Sequence, residues 1–435
     1  MILDAKGLQM KVCIHRGTHE IGGTCVEIES QGKRIVLDVG LPLDVVDASQ
    51  FPLHPIKGFE RPDPDLLAVI ISHPHQDHYG LAYRLPKDTH FAIGKSAAAI
   101  LEAAEIFTPA GVTLQNVTHL VDRTSFALGP FSITPYLVDH SAFDSYAIHV
   151  EADGVALFYS GDLRSHGRKG KLFQKFLRLP PRHVDVLLME GTTLGRPNTE
   201  KGFPSETELE SKFVEIFKST KGMPLVWCSG QNIDRIVSVL RACIKANRTL
   251  ILDMYTAHIL RATGNAAILG ACEKHAKVFL PLGQKRQIMR KERFDVSDLY
   301  KSRRIYDHEL AAAATHSVML FRPSMASEIE KLGCLDGSRL IYSMWSGYLK
   351  DERQKPFLAW LTRHDIPLEE CHTSGHASVA DLVKLRDRFQ RAPVVPIHTD
   401  QPARFEELFG NALRPVDGEW WDVVKINDNS EETKP

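Results

Sequence analysis

The chain of 435 residues is 43% hydrophobic and 25% charged, and its 53 basic and 54 acidic side chains leave a formal net charge of −1. That length exceeds an ordinary single domain and calls for two packed units, or one large unit with an insertion, with ample apolar content for cores. The balanced charge excludes a global attraction to nucleic acid, so any polyanion would need a local basic surface.

The opening "MILDAKGLQMKVCIHRG" has neither the basic nor the apolar segment of a secretory leader, and no apolar run is long enough to span a bilayer. The expectation is a soluble cytoplasmic protein with no membrane partner. The first 165 residues read as β-rich: "CVEIES", "RIVLDVG", "LLAVIIS", "FSITPYLV", "YAIHVEA" and "VALFYSGD" are short strand-forming runs separated by Gly, Asp and Pro turns. A strand ending in a polar residue recurs at Asp38, His73, His140, Asp162 and, in "VDVLLMEGTT", Glu190. So many acids and histidines at strand ends imply one shared edge where loops converge. "GTHEIGG" (17 to 23) reads as a turn with His19 structural.

The stretch "ISHPHQDHYG", residues 71 to 80, sets His73, His75, Asp77 and His78 within six positions directly after the apolar run Leu66 to Ile71. One histidine on a loop is ordinarily a solvated side chain. Four imidazole and carboxylate donors on one turn would repel or desolvate badly without a cation, and they are donor types that bind Zn²⁺. His73 and His75 alternate in an extended stretch and can point the same way, while the adjacent Asp77 and His78 turn toward a different target. The pattern suggests two metals rather than one.

"GRKGKLFQKFLRLPPR" (167 to 182) is a basic run with Phe173 and Phe176 interleaved. Its ordinary meaning is a solvated helix face, but it follows Asp162 directly, so Arg164, Arg168, Lys169 and Lys171 are candidate phosphate contacts. From Ser205 the texture shifts to alternating helix and strand. "SETELESKFVEIFKS" predicts a helix opened by a capping box, Ser205 and Glu208, with Leu209, Phe213, Ile216 and Phe217 on one face. "PLVWCSG", "NIDRIVSVLRACIKA" and "TLILDMY" continue as strand, helix and strand, a βαβ pattern that predicts a parallel sheet. "SGQNIDR" (229 to 235) either offers backbone N–H groups and Arg235 to a phosphate or simply caps the helix. The basic run "QKRQIMRKER" (284 to 293) lies in the same region, and Trp345 and Tyr348 in "YSMWSGYL" are read as core or interdomain residues in preference to a base-stacking pair.

Ligand-type residues return only in "CHTSGHAS" (371 to 378) and "PVVPIHTDQP" (393 to 402). The simplest topology is therefore an αβ domain, residues 204–367, inserted into a metal-binding domain made of residues 1–203 and 368–435. Ser374 joins the candidate nucleic-acid contacts. His372 is not counted as a ligand, because the Ser-Gly between it and His376 argues against one helical zinc face. His149 and His166 are bystanders, and the tail "NDNSEETKP" is a frayed end. The seven cysteines, Cys13, Cys25, Cys228, Cys243, Cys272, Cys334 and Cys371, are scattered and never form CxxC, which reads as buried thiols in a reducing compartment.

With these residues in view, the sequence resembles the metallo-β-lactamase superfamily and, more narrowly, its β-CASP nucleases. "SHPHQDH" matches the superfamily's HxHxDH signature, "LDVG" its first motif, "VDHSAFDS" the next histidine and "YSGDLR" the bridging aspartate. The β-CASP additions follow in order: Glu190 at a strand end, His376 in "TSGHAS" and His398 in "PVVPIHT". The resemblance implies an α/β fold, a metallo-β-lactamase αββα sandwich with an inserted β-CASP αβ domain carrying a parallel sheet. It implies two zinc ions, with manganese as a substitute: one on His73, His75, His140 and Asp162, the other on Asp77, His78, Asp162 and His398. Asp38 would steady the HxHxDH loop, and Asp77, Glu190 and His376 would form the catalytic set, His376 acting as general acid oriented by Glu190.

A histidine at position 398 is typical of the RNA-cleaving branch, so the implied activity is hydrolysis of single-stranded RNA. DNA cleavage in repair or defence, or a catalytically silent RNA-binding subunit, are the alternatives. "HTD" departs from the ribonuclease J pattern, which has a Gly-Glu pair after the histidine, and the chain stops too early for that enzyme's extra C-terminal domain. Oligomeric state, dimerisation and processivity are accordingly not carried over.

Overall fold

The computed structural model describes residues 9–45, 48–197 and 199–425. The frayed end expected at "NDNSEETKP" lies outside them. Six strands come first: β1 (Lys11–Arg16), β2 (Cys25–Ser30), β3 (Lys33–Leu37), β4 (Leu66–Ile70), β5 (His90–Gly94) and β6 (Asn116–Leu120). Five follow: β7 (Phe126–Leu128), β8 (Phe131–Val138), β9 (Ser145–Ala152), β10 (Val155–Tyr159) and β11 (Val186–Glu190). The second half supplies β12 (Pro224–Trp227), β13 (Thr249–Asp253), β14 (Ala276–Phe279), β15 (Ser317–Leu320), β16 (Arg339–Tyr342) and β17 (Leu368–Glu370), then β18 (Val394–Ile397) and β19 (Trp420–Asp422).

These strands make three sheets, in the orders β19-β1-β2-β3-β4-β5-β6, β18-β11-β10-β9-β8-β7 and β14-β13-β15-β12-β16-β17. The first two are stacked face to face. Ile14, Ile28, Ile35, Leu37 and Ile70 of one meet Ile133, Ile148, Val150, Leu157 and Leu188 of the other in a single buried cluster. Helices cover the outer faces. Helix α1 (Gln76–Tyr79) and helix α2 (Lys95–Glu105) close the first, through Tyr79, Ala97 and Leu101. Helix α3 (Lys171–Arg178) covers the second through Phe173, Phe176 and Leu177. The result is the expected αββα sandwich.

The third sheet is parallel throughout, as the βαβ pattern requires. Helix α4 (Glu206–Ser219) begins with the expected capping box: Glu208 N–H donates to Ser205 Oγ at 3.2 Å, and Ser205 N–H donates to Glu208 Oε2 at 2.7 Å. Its Leu209, Phe213, Ile216 and Phe217 pack with Ile236 and Val239 of helix α5 (Ile233–Lys245) on one face of that sheet. Strand β17 pairs in parallel with β16 and so lies in this sheet, past the boundary expected at residue 367.

The inserted sheet is anchored to the sandwich. Ile100, Ala103 and Phe107 at the end of α2 join its core, Phe107 meets Tyr255 edge-on at 5.7 Å, and Ser96 Oγ donates to the Thr263 carbonyl at 2.9 Å. No helix among the described residues is long and apolar enough to cross a membrane.

Candidate metal centre

The sheet directions explain why distant residues meet. Strand β3 runs parallel to β4, so the residues that follow each, Asp38 and the His73–His78 turn, leave the first sheet at one edge. In the second sheet β10, β11 and β18 are mutually parallel, and β8 shares their direction because β9 is antiparallel to both β8 and β10. His140, Asp162, Glu190 and His398 therefore emerge at the facing edge. His376 enters from the loop after β17, which returns from the inserted domain.

The turn carrying four of these groups is held by close backbone approach. Val39 N–H donates to the His78 carbonyl at 2.8 Å, Leu41 N–H to that of Gln76 at 2.9 Å and Thr24 N–H to that of Asp77 at 3.1 Å. Gly40 makes this approach feasible, since a Cβ there would fall 1.8 Å from the Asp77 carbonyl oxygen.

At the centre stands Asp162 Oδ2, 3.2 Å from His78 Nε2, 3.6 Å from His73 Nε2 and 3.8 Å from Nε2 of both His140 and His398. Donor atoms of His73, His75 and His140 fall within 4.8 Å of one another, as do those of Asp77, His78 and His398. The structure thus brings all seven candidate ligands together, in two triads joined through Asp162. Buried and without any hydrogen bond are both Asp162 carboxylate oxygens and Nε2 of His73, His78 and His398. Buried polar atoms ordinarily find partners, and orphaned lone pairs of carboxylate and imidazole converging on one spot are the chemistry of a cation site. The residues present fit divalent metal.

Protonation tendencies agree with that fit for four of the imidazoles, whereas burial works against a charged His78 but Asp162 and Asp38 outweigh it and raise its pKa well above the usual range, so a metal there must displace a proton. Burial, reinforced by neighbouring imidazoles, holds His73 and His140 well below the usual histidine range, lowers His398 and pushes His75 down to about 4. All four are neutral at pH 7 and present lone pairs. His376 differs: burial opposes its charged form, but Glu190 and then Asp162 outweigh burial and raise it. Its Nδ1 lies 3.1 Å from Glu190 Oε2 and 3.6 Å from Asp162 Oδ2. Glu190, 1% exposed, also accepts from Leu163 N–H at 2.9 Å, so its carboxylate is fixed before it meets the ring.

A supporting layer fixes the rings. Asp38 accepts from Ser72 N–H and Oγ at 2.7 and 2.8 Å and from the Tyr159 hydroxyl at 2.7 Å, and its Oδ2 lies 2.7 Å from His78 Nδ1. This directs His78 Nε2 inward, the arrangement that orients metal-binding histidines generally. Thr24 Oγ1 sits 3.0 Å from His398 Nδ1 and does the same for that ring. Sequence reasoning named Asp38 and missed Ser72, Tyr159 and Thr24, whose only sequence signal is their place in or beside the SHPHQDH, YSGD and GTHEIGG motifs.

The expected nucleic-acid contacts divide. Arg164 and Arg235 are 0% exposed, which removes them as phosphate ligands. Arg164 spans the domains, donating to Asp139 at 3.3 Å, Asp234 at 2.7 Å and the Ser374 carbonyl at 3.0 Å. Arg235 pairs with Glu206 at 3.0 Å and donates to the Thr373 carbonyl at 3.2 Å. Arg168 is half-buried against Glu210 and Ser238. Lys169 leans over Phe143 at 5.3 Å beside the carbonyls of His140 and Ala142. Lys171 is exposed, whereas Phe173 and Phe176 are core. Ser374 Oγ accepts from His376 N–H at 3.0 Å and so shapes the loop. Asn232 caps α5, the plainer reading of the 229–235 loop. Trp345 and Tyr348, expected in the core or between the domains, are 45% and 51% exposed and so not core, and Arg196 of the sandwich lies over the Trp345 ring.

Residues 33–202 match the family described as the β-lactamase superfamily domain. Ribonuclease J of Helicobacter pylori (strain ATCC 700392 / 26695) is 25% identical over 264 residues, 58% of this chain and 37% of that protein. Ribonuclease J of Mycobacterium tuberculosis (strain ATCC 25618 / H37Rv) is 25% identical over 255 residues, 55% of this chain and 43% of that protein. The matched region thus covers less than half the length of these relatives. The crystal structure of a protein of unknown function from Enterococcus faecalis V583 superimposes with a TM-score of 0.74 at 21% identity, covering 95% of this chain and 100% of that one, and the two share a fold.

Proposed function

We propose, from a chain whose residues 33–202 are a domain of the metallo-β-lactamase superfamily, that the protein is a zinc-dependent β-CASP ribonuclease hydrolysing phosphodiester bonds of single-stranded RNA. The observation that carries this reading is the junction at Asp162, where orphaned carboxylate and imidazole atoms of two ligand triads converge. Similarity to ribonuclease J over more than half of this chain supports RNA as the substrate class.

In this reading His73, His75, His140 and Asp162 hold one zinc, and Asp77, His78, Asp162 and His398 hold the other. Two bound ions would supply activation of water near neutrality and stabilise charge during in-line displacement at phosphorus. The chain's own residues do the rest. Glu190 favours the charged form of His376 and fixes its Nδ1, which leaves Nε2 to deliver a proton to the departing ribose oxygen. Asp38 and Thr24 hold the rings of His78 and His398 so that neither turns away.

Domain limits near residues 203 and 367 belong to the same proposal, adjusted by β17. The seven free, buried cysteines support a reducing compartment such as the cytoplasm. The test is cleavage of matched, 5′-labelled RNA and DNA oligonucleotides by the purified protein, in single-stranded and duplex form. Faster cutting of single-stranded RNA is expected. Equal or faster cutting of DNA would move the assignment to a deoxyribonuclease, and no cutting of any oligonucleotide would overturn it.

A further inference from the structure

Large aromatic side chains are expected in the core, yet Trp345 and Tyr348, on the segment that follows β16, are left about half exposed. Their rings meet edge to face, with centroids 5.2 Å apart and planes at 85°. The pair is not loosely displayed. Tyr348 N–H donates to the Trp345 carbonyl at 3.1 Å, and the Tyr342 hydroxyl donates to the same oxygen at 3.1 Å. Between the two, Gly347 lies flat under the indole: a Cβ at that position would come within 2.3–2.5 Å of three atoms of the six-membered ring. Glycine here lets the indole rest directly on backbone, which fixes the height and tilt of its outer face.

A third member arrives from the other domain. Arg196, six residues past Glu190, sets its guanidinium over the Trp345 ring, 4.7 Å from the centroid. Among the described residues no carboxylate lies within ion-pair distance of it. Arg196 ties the cluster to the metal centre through the chain, since it follows by six residues the Glu190 that ends β11 and meets His376. The charged groups acting on Arg196 through space are Asp400 and Glu190, with Tyr348.

We propose that Trp345, Tyr348 and Arg196 form a nucleobase subsite, in which one base flanking the scissile phosphate takes the indole face that Arg196 covers in the free protein, beside the Tyr348 ring, while Arg196 turns to the backbone phosphate of that nucleotide. This rests on the nuclease reading above and adds to it the groups that hold the substrate. Stacking on an aromatic platform is available to every base, because each has a π face, so the subsite confers little sequence preference. It does require a base free of its own stack. A duplex cannot supply one without unpairing, so the subsite itself selects for single strands. Arg196 completes the recognition because a guanidinium with no carboxylate at ion-pair distance among the described residues, held beside aromatic rings, suits both a phosphate and a stacked base.

The experiment uses the full chain and RNA oligonucleotides in which each position near the cleavage site is replaced in turn by an abasic nucleotide. Trp345→Ala should raise KM on intact RNA roughly ten- to hundredfold, the range a stacked base contributes, with kcat changed far less. Trp345→Phe should recover most of the loss. At one abasic position the parent should lose the same factor, and Trp345→Ala should lose nothing further there. Fluorescence of 2-aminopurine at that position should be quenched by the parent and not by the alanine variant. A parent that cuts RNA while the abasic scan shows no position at which the two effects coincide would overturn the subsite and leave the nuclease reading standing. A parent that neither cuts nor binds any oligonucleotide would overturn both.

Discussion

Glu190 Oε2 and His376 Nδ1 lie 3.1 Å apart although 186 residues separate them in the chain. One nitrogen of the ring is thereby committed to a buried carboxylate. Burial alone would discharge this imidazole, but Glu190 and Asp162 raise its pKa above the ordinary 6.5. His376→Ala is therefore expected to keep its metals and lose roughly 10²–10⁴-fold in rate, the usual worth of a positioned acid. An activated aryl phosphodiester, whose leaving oxygen needs no proton, should be cut almost as fast by the variant as by the parent. For the acid form to be active, rate must fall as pH rises through the His376 pKa. Glu190→Gln should move that alkaline limb to lower pH. Loss of metal in His376→Ala, or equal loss on both substrates, would place His376 among the ligands.

Protein prepared without chelator is expected to carry two zinc equivalents. Asp162→Ala should fall below one equivalent, because that carboxylate is within 3.8 Å of four ligand imidazoles, and no improved leaving group should rescue its activity. Chelation should also lower the melting temperature, since a ligand held at a thousandfold excess over Kd contributes about 4 kcal/mol to stability. Elemental analysis and a melt with and without chelator read both effects. One equivalent or less in the parent, with no gain on adding zinc, would contradict the dinuclear reading.

What could be read in the sequence, and what could not, follows from the range of the interactions. His73, His75, Asp77 and His78 declare themselves because donor type and spacing are local, and a strand's period fixes which way each points. Arg164 and Arg235 mislead for the opposite reason. Each looks like a phosphate contact beside a strand end, but their partners Asp139, Asp234 and Glu206 lie 25 to 70 residues away in sequence for Arg164 and 29 for Arg235. Only the packing of one domain on the other buries them. For Trp345 and Tyr348 the sequence leaves core and interdomain places open, and only the contact with Arg196 decides between them. Thr24, Ser72 and Tyr159 stayed silent because a hydroxyl carries no signature until the ring it holds is in place.

Space, and not backbone strain, makes Gly40 indispensable, since its φ lies outside the left-handed region and the obstacle is the Asp77 carbonyl 1.8 Å from where a Cβ would sit. Gly40→Ala must push the HxHxDH turn away from the 38–41 segment. A loss of stability of about 1–3 kcal/mol is expected, together with zinc loss, because the shift displaces Asp77 and His78. Gly283→Ala is the control: nothing lies within 4 Å of its Cβ position, so zinc content should be unchanged and stability equal or slightly higher. A Gly40→Ala protein with full zinc and an unchanged melt would show that the turn has room the structure does not reveal.

The buried ion pairs around Glu206, one within the inserted domain and one across to Arg164 of the sandwich, should make stability depend on acid. Burial works against the Glu206 carboxylate, but Arg235, 3.0 Å away, and Arg164 at 3.7 Å outweigh it and pull its pKa from 4.5 down to about 2. A depressed carboxylate contributes stability that is fully present above its unfolded pKa and lost as pH falls through the folded one, so the window runs from about 4.5 to about 2. The shift corresponds to roughly 3 kcal/mol. Asp139, on the other side of Arg164, has the reverse sign: burial lifts it to about 6, and its contribution declines as pH rises through that value. Comparing the parent with Glu206→Gln separates the two, because Asp139 is common to both. The variant leaves Arg235 charged and unpaired in the interior and should be less stable at pH 7 by about 3–5 kcal/mol. Measured by urea unfolding with chelator present, so that zinc release does not enter, the gap should narrow steadily from pH 5 to pH 2.5 as the parent's own Glu206 takes up a proton. A gap that stays constant across that range would mean that Glu206 and Arg235 do not act as an ion pair.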